Sequence, residues 1–307
     1  MVLASDSARP FGSVVTAMVT PMTSDGMVNV EAGARLARWL VAQGCDGILV
    51  NGTTGEAPTT HSPEKAELVA AVVEAVGDQV AVVAGAGSND TLHAARMATQ
   101  AAEAGADGIL IVTPYYSRPS QEGLVTHIEA VADAGGKPVM VYDVPSRTGI
   151  RIKTTAYERL AQHPLIVANK DATGDVAAAA ALIENTGLAW YSGDDGLLLP
   201  FLAHGGAGIV SVVTHAVAPH FRRAVDAWDA GDHAAALAAM RQAIPAIQAL
   251  NGDGMQAVMA KAAAEALGAI EGRWVRGPLI AASDEEAAAV RAALAASGCV
   301  GVNGLLT

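Results

Sequence analysis

Aromatic side chains are scarce, with three Phe, four Trp and five Tyr making 4% of 307 residues. Cysteine is scarcer. Cys45 and Cys299 are the only two and form no C-x-x-C, which argues against a disulfide scaffold and a structural zinc site. Charged residues are few, 16%, and unbalanced: 19 Lys+Arg against 31 Asp+Glu leaves a net charge of −12. A chain this acidic lacks the basic face that nucleic-acid binding needs, so no nucleic-acid partner is expected. The eight histidines form neither H-x-H nor H-E-x-x-H, so no metal site is expected. The first ten residues hold Asp6 and no apolar run, unlike a signal peptide. Residues 196–221 carry no Asp, Glu, Lys or Arg and are long enough to span a bilayer. Pro200, His204, Gly205, Gly206, Ser211, Thr214 and His215 interrupt that stretch, which reads as a buried helix–turn–strand. The expectation is a cytoplasmic chain with no membrane partner.

What the chain does have is apolar periodicity: 51% of its residues are hydrophobic. Short apolar runs recur at 14–19, 47–50, 80–84, 108–112, 138–142, 166–170, 189–192 and 208–213. Amphipathic stretches separate them at 30–42, 63–76, 90–104, 121–134, 154–161, 175–185 and 197–203. Strands alternating with helices imply a parallel sheet with crossover helices. Eight strands apolar on both faces predict closure into an α/β fold, the (β/α)8 TIM barrel. The rival is an open doubly wound sheet. Its phosphate signature has one candidate, Gly85-Ala86-Gly87-Ser88-Asn89-Asp90, which lacks the third glycine and reads as a strand-to-helix turn. Helical pieces at 220–230, 233–250, 255–267 and 284–296 follow, the last with Ser283 and Glu286 as a capping box. Residues 1–219 are thus expected to form the barrel with its active site, and 220–307 a C-terminal helical appendix.

Barrel sites lie at the C-terminal ends of the strands. Of the five lysines (65, 137, 153, 170 and 261), Lys170 alone ends an apolar strand. Burial disfavours an ammonium, and a free amine attacks carbonyls. Two readings stand: a nucleophile, or a structural lysine paired with Asp143, Asp171 or Asp194. Three of the five tyrosines, Tyr115, Tyr116 and Tyr142, fall at strand ends, where a phenol can shuttle protons or simply pack. Thr53-Thr54 between glycines suits a carboxylate or a plain turn. Arg147, in a Pro- and Gly-flanked loop, suits a substrate carboxylate or solvent. Asp194-Asp195 reads as a helix N-cap before a cation site.

Gly52-Thr53-Thr54-Gly55-Glu56, Pro114-Tyr115-Tyr116, Tyr142-Asp143-Val144-Pro145-Ser146-Arg147-Thr148-Gly149, Lys170-Asp171-Ala172-Thr173-Gly174 and Ser192-Gly193-Asp194-Asp195 together resemble the dihydrodipicolinate synthase family, in its order and spacing. The resemblance implies condensation of pyruvate with L-aspartate-4-semialdehyde to 4-hydroxy-tetrahydrodipicolinate, in lysine and diaminopimelate biosynthesis. Lys170 would form the imine, Tyr142 would pass its protons, and Thr53 and Tyr116 would complete a relay. Tyr116 would reach in from a neighbouring subunit, which implies a homodimer or homotetramer. Thr54 would hold the pyruvate carboxylate, Val210 would line that pocket, and Arg147 would bind the semialdehyde. The imine is the electron sink, so neither a metal nor an organic cofactor is expected. The alternative is another pyruvate-dependent Schiff-base enzyme, such as a neuraminate or sugar-acid lyase. A third reading, a non-catalytic binding barrel, leaves the set Lys170, Tyr142, Thr53 and Tyr116 without purpose.

Two residues depart from the family pattern: Asn169 where an apolar residue commonly precedes the lysine, and Asp143 where asparagine is common. Both are expected to alter the imine environment. Lysine-sensitive members bind L-lysine at an interface near the second and third helices, through a histidine and a glutamate. The matching positions here are Lys65 and His93, with Asn89 and Tyr115 retained, so inhibition by L-lysine is expected to be weak or absent.

Overall fold

The computed structural model describes residues 8–252, 255–304 and 306. The N-terminal stretch read against a signal peptide lies mostly outside them. Eight strands alternate with helices: β1 Val14–Ala17, β2 Gly47–Val50, β3 Ala81–Gly85, β4 Gly108–Val112, β5 Val139–Asp143, β6 Ile166–Asp171, β7 Ala189–Ser192 and β8 Gly208–Ser211. All neighbours pair in parallel, and β1 pairs with both β2 and β8, so the sheet closes in sequence order. The (β/α)8 barrel is confirmed, and the open-sheet rival falls with it. Gly85 ends β3, and the turn after it leads to Asp90, whose Oδ1 caps the next helix by accepting the His93 N–H at 2.9 Å.

The helices are α1 Val30–Ala42, α2 Glu64–Val76, α3 Thr91–Glu103, α4 Gln121–Gly135, α5 Pro145–Thr148, α6 Thr154–Leu160, α7 Val176–Thr186, α8 Leu198–Ala203, α9 Thr214–Asp229, α10 His233–Leu250, α11 Gln256–Ala266 and α12 Asp284–Ala296. The Ser283–Glu286 capping box opens α12 in both directions. Two readings are corrected. The second helix begins at Glu64, not at residue 63. Pro63 itself takes the cap position, without a side-chain bond, and the His61 N–H is met instead by Glu64 Oε1 at 2.7 Å. α9 begins at Thr214 rather than 220, because Pro219 lies just past a non-helical kink at Val217 instead of breaking the helix. The short α5, with Pro145 at its start, was not anticipated. Among the described residues no helix is long and apolar enough to cross a membrane.

Inside the ring, Val15, Leu49, Val83, Leu110, Met140, Tyr191 and Val210 form one apolar cluster. Phe11 belongs to the same cluster and closes the N-terminal end of the barrel. Gly108, first residue of β4, makes room for it: a Cβ there would come within 2.3 Å of the Phe11 ring. The Phe11 N–H donates to the Tyr191 hydroxyl at 3.3 Å. A second cluster joins α9–α12 to the outer faces of β1 and β2 without a break, through residues such as Leu36, Ile48, Phe221, Met259 and Leu294. The C-terminal helices thus share a core with the barrel wall.

Candidate active site

Tyr142 and Lys170 are register partners on β5 and β6. The β5–β6 register shifts by one residue at Val139–Met140, so that Ile166 packs outward while Val167 and Ala168 both pack inward. Beyond this bulge the ordinary alternation turns Lys170 into the barrel and Asn169 outward. Lys170 is 4% exposed, with Nζ 4.3 Å from the centre of the Tyr142 ring. Gly193 passes close by: a Cβ there would lie 3.1 Å from Lys170 Cε. Burial pushes the amine down to about 8, against the pull of Asp195, and the nearby Arg147 adds to the depression. Burial also pushes Tyr142 up to about 12, opposed by Arg147 and by a hydrogen bond with Thr53. A neutral phenol therefore faces an amine that sheds its proton within reach of neutral pH.

The structural-lysine reading is corrected. Among the described residues Lys170 takes part in no ion pair with Asp143, Asp171 or Asp194. The acid that acts on it is Asp195, which the sequence reading took for a cap. Asp194 makes no side-chain cap bond. Asp195 is buried, and accepts from Ser211 Oγ at 2.5 Å, Val212 N–H at 3.2 Å and Asn251 Nδ2 at 2.9 Å. The two departures also differ from expectation. Asp143 and Asn169 meet on the outer face, where the Tyr157 hydroxyl lies 3.2 Å from Asp143 Oδ2 and 3.3 Å from Asn169 Oδ1. Burial, reinforced by Asp171, pushes the Asp143 carboxyl up to about 7. Asn169 thus lies behind the strand that carries Lys170, not beside its amine.

A cavity of about 330 Å³ opens above Tyr142, lined by Thr53, Tyr115, Tyr142, Arg147, Met255 and Leu279 among others. Thr54 and Val210 are buried, Val210 in the cluster inside the barrel. Arg147, on α5, stands exposed at the rim, 3.5 Å from Met255 Sδ and 3.4 Å from Gln256 Oε1. Tyr116 is not brought to this cavity. It is 91% exposed, with φ at +72°. The sequence reading missed the wall supplied by Met255, Pro278 and Leu279, and placed Lys261 on a helix without noting that it is buried. A lone lysine in the alanine-rich Gln256–Ala266 was the available signal. Among the described residues no group of three or more His, Cys, Asp or Glu could hold a metal ion. Lys65 turns its ammonium inward, to the Ala57 carbonyl at 2.8 Å, instead of presenting it to a neighbour.

A closed (β/α)8 barrel with a desolvated lysine inside it and a cavity with an arginine at its rim has the architecture of a (β/α)8-barrel enzyme. The family model described as the dihydrodipicolinate synthetase family matches residues 10–297. A 4-hydroxy-tetrahydrodipicolinate synthase of Bifidobacterium longum (strain DJO10A) is 55% identical over 275 residues, covering 90% of each chain. A 4-hydroxy-tetrahydrodipicolinate synthase 2 of Streptomyces coelicolor is 50% identical over 294 residues, 96% of this chain and 98% of that one. The crystal structure of the Cyanidioschyzon merolae dihydrodipicolinate synthase with lysine bound superposes with a TM-score of 0.90 at 38% identity, covering 94% of this chain and 98% of that one. The chain belongs to the dihydrodipicolinate synthetase family, whose reaction condenses pyruvate with L-aspartate-4-semialdehyde in lysine and diaminopimelate biosynthesis. The neuraminate or sugar-acid lyase alternative gains nothing from these relatives.

Proposed function

We propose that Lys170 carries this condensation as an imine of pyruvate. The observation that supports it is the buried, ion-pair-free amine beside Tyr142. The free amine adds to the pyruvate carbonyl, and loss of water gives the imine. Tyr142, with Thr53 behind it, moves the protons, and removal of one methyl proton leaves an enamine. The enamine carbon attacks the aldehyde carbon of the semialdehyde, whose oxygen takes up a proton. The semialdehyde amine then adds to the imine carbon and displaces Lys170, closing the ring. One water leaves for each product formed. Thr54 holds the pyruvate carboxylate, Val210 packs against it, and Arg147 forks onto the carboxylate of the semialdehyde.

The exposure of Tyr116, together with Leu92 at 72% exposed, supports a homo-oligomer in which Tyr116 enters a neighbour's site. Two unpaired cysteines support a cytoplasmic location. Borohydride with pyruvate tests the imine. It is expected to inactivate the protein and leave a three-carbon adduct on the peptide holding Lys170. An adduct on another lysine, or none, would sink this mechanism.

A further inference from the structure

Glu56 closes the turn that carries Thr53 and Thr54, and both of its carboxylate oxygens are gripped by the C-terminal region. Lys261, on α11 and 205 residues away in sequence, donates from Nζ to Glu56 Oε1. The same ammonium donates to the Trp274 carbonyl at 2.6 Å. Both side chains of the pair are fully buried, at 0%. Glu56 Oε2 accepts the Arg276 N–H at 2.9 Å. The Arg276 guanidinium reaches further, to the Thr59 carbonyl at 2.8 Å, the Gly26 carbonyl at 2.7 Å and the Glu64 carboxylate. The backbone of Glu56 is left-handed, with φ at +58°, a conformation that a residue with a Cβ adopts only when its surroundings enforce it. In that conformation its N–H donates to the Thr53 carbonyl at 3.1 Å. Thr53 and Tyr142 line the same cavity, and Thr53 opposes the upward shift that burial gives the phenol.

A buried ion pair is weak support for stability, because desolvating two charges offsets most of their attraction, and two apolar side chains would fill such a space as well. What the pair adds is direction: a fixed hold, from a distant part of the chain, on the turn bearing the hydroxyl that acts on Tyr142. We propose that Lys261 is a positioning residue of the reaction, acting through Glu56 to keep Thr53 on Tyr142 and so governing proton transfer at the pyruvate methyl group rather than imine formation. The inference rests on the imine reading of Lys170.

The double variant Glu56→Gln/Lys261→Met removes both charges together, so that neither is left buried alone. Two quantities are compared with the parent protein at saturating pyruvate: the borohydride-trapped adduct by mass, and exchange of pyruvate methyl protons in D2O by NMR. The adduct is expected to stay within about twofold, while methyl exchange falls about tenfold or more, as for a misplaced catalytic group. Exchange that is unchanged, or that falls only in step with the adduct, overturns the proposal. Should the double variant fail to fold, Glu56→Asp keeps both charges but shortens the reach of the carboxylate to Lys261, loosening the same hold on the turn. A lowered ratio of exchange to adduct supports the proposal, and an unchanged ratio overturns it. No adduct in the parent protein overturns the imine reading instead, and adduct without exchange there overturns the reading of Tyr142 and Thr53 as its proton carriers.

Discussion

Lys170 and Tyr142 are moved by the same cause in opposite directions. Loss of water disfavours the charged form of each, which frees the amine and keeps the phenol protonated. With the amine down to about 8, its reactive form grows as pH rises toward that value. Pyruvate kcat/KM is therefore expected to climb about tenfold per pH unit below it and to level off above. A flat profile between about pH 6 and 8 would show that the amine is already free, contrary to this reading. Arg147 acts later. Arg147→Ala is expected to leave pyruvate adduct formation intact while weakening use of the semialdehyde by about 2 kcal/mol or more, roughly thirtyfold in kcat/KM. Disappearance of the adduct, followed by mass, would mean that the arginine serves pyruvate first.

At the scale of elements, alternation of apolar runs with amphipathic stretches made the barrel legible. Four-residue strands such as β2 and β7 stand where the runs 47–50 and 189–192 lie. Which face a residue takes was less legible. Strict alternation from Ile166, which packs outward, would turn Lys170 outward too, and only the extra inward residue at the β6 bulge brings it inside. No residue type in 166–170 announces that bulge. The ends of helices carry another expectation. On α2, Lys65 spends its ammonium on Ala57, and on α3 an exposed His93 stands where the resemblance implies a carboxylate in lysine-sensitive members. An α-ammonium or ε-ammonium arriving there meets an imidazole at position 93 in place of that carboxylate. At about 1.4 kcal/mol per tenfold, loss of that ion pair with its hydrogen bonds raises the inhibition constant about a hundredfold. Initial rates are expected to hold at millimolar L-lysine, and sub-millimolar inhibition would show that other side chains complete the pocket.

For the whole molecule, long-range pairings were the least visible part of the sequence. Lys170 was found because its strand is apolar. Lys261 and Glu56, 205 residues apart, each looked ordinary alone. Tyr116 presents the same difficulty one level higher, since its proposed partner lies on another copy of the chain. Tyr116→Phe is expected to lower kcat about tenfold or more while leaving the Lys170 adduct in place. Sedimentation velocity should show a dimer or larger under assay conditions. Full activity from a species sedimenting as a monomer would remove Tyr116 from the relay.

Phe11 stoppers the far end of the ring, against Gly108 and beneath Tyr191. With that end closed, a substrate approaches Lys170 from the C-terminal side of the barrel, where Arg147 stands at the rim of the cavity above Tyr142. On such a route the order of entry matters. A molecule seated first at the rim blocks the way to the amine, whereas one already joined to Lys170 becomes the floor on which the second is received.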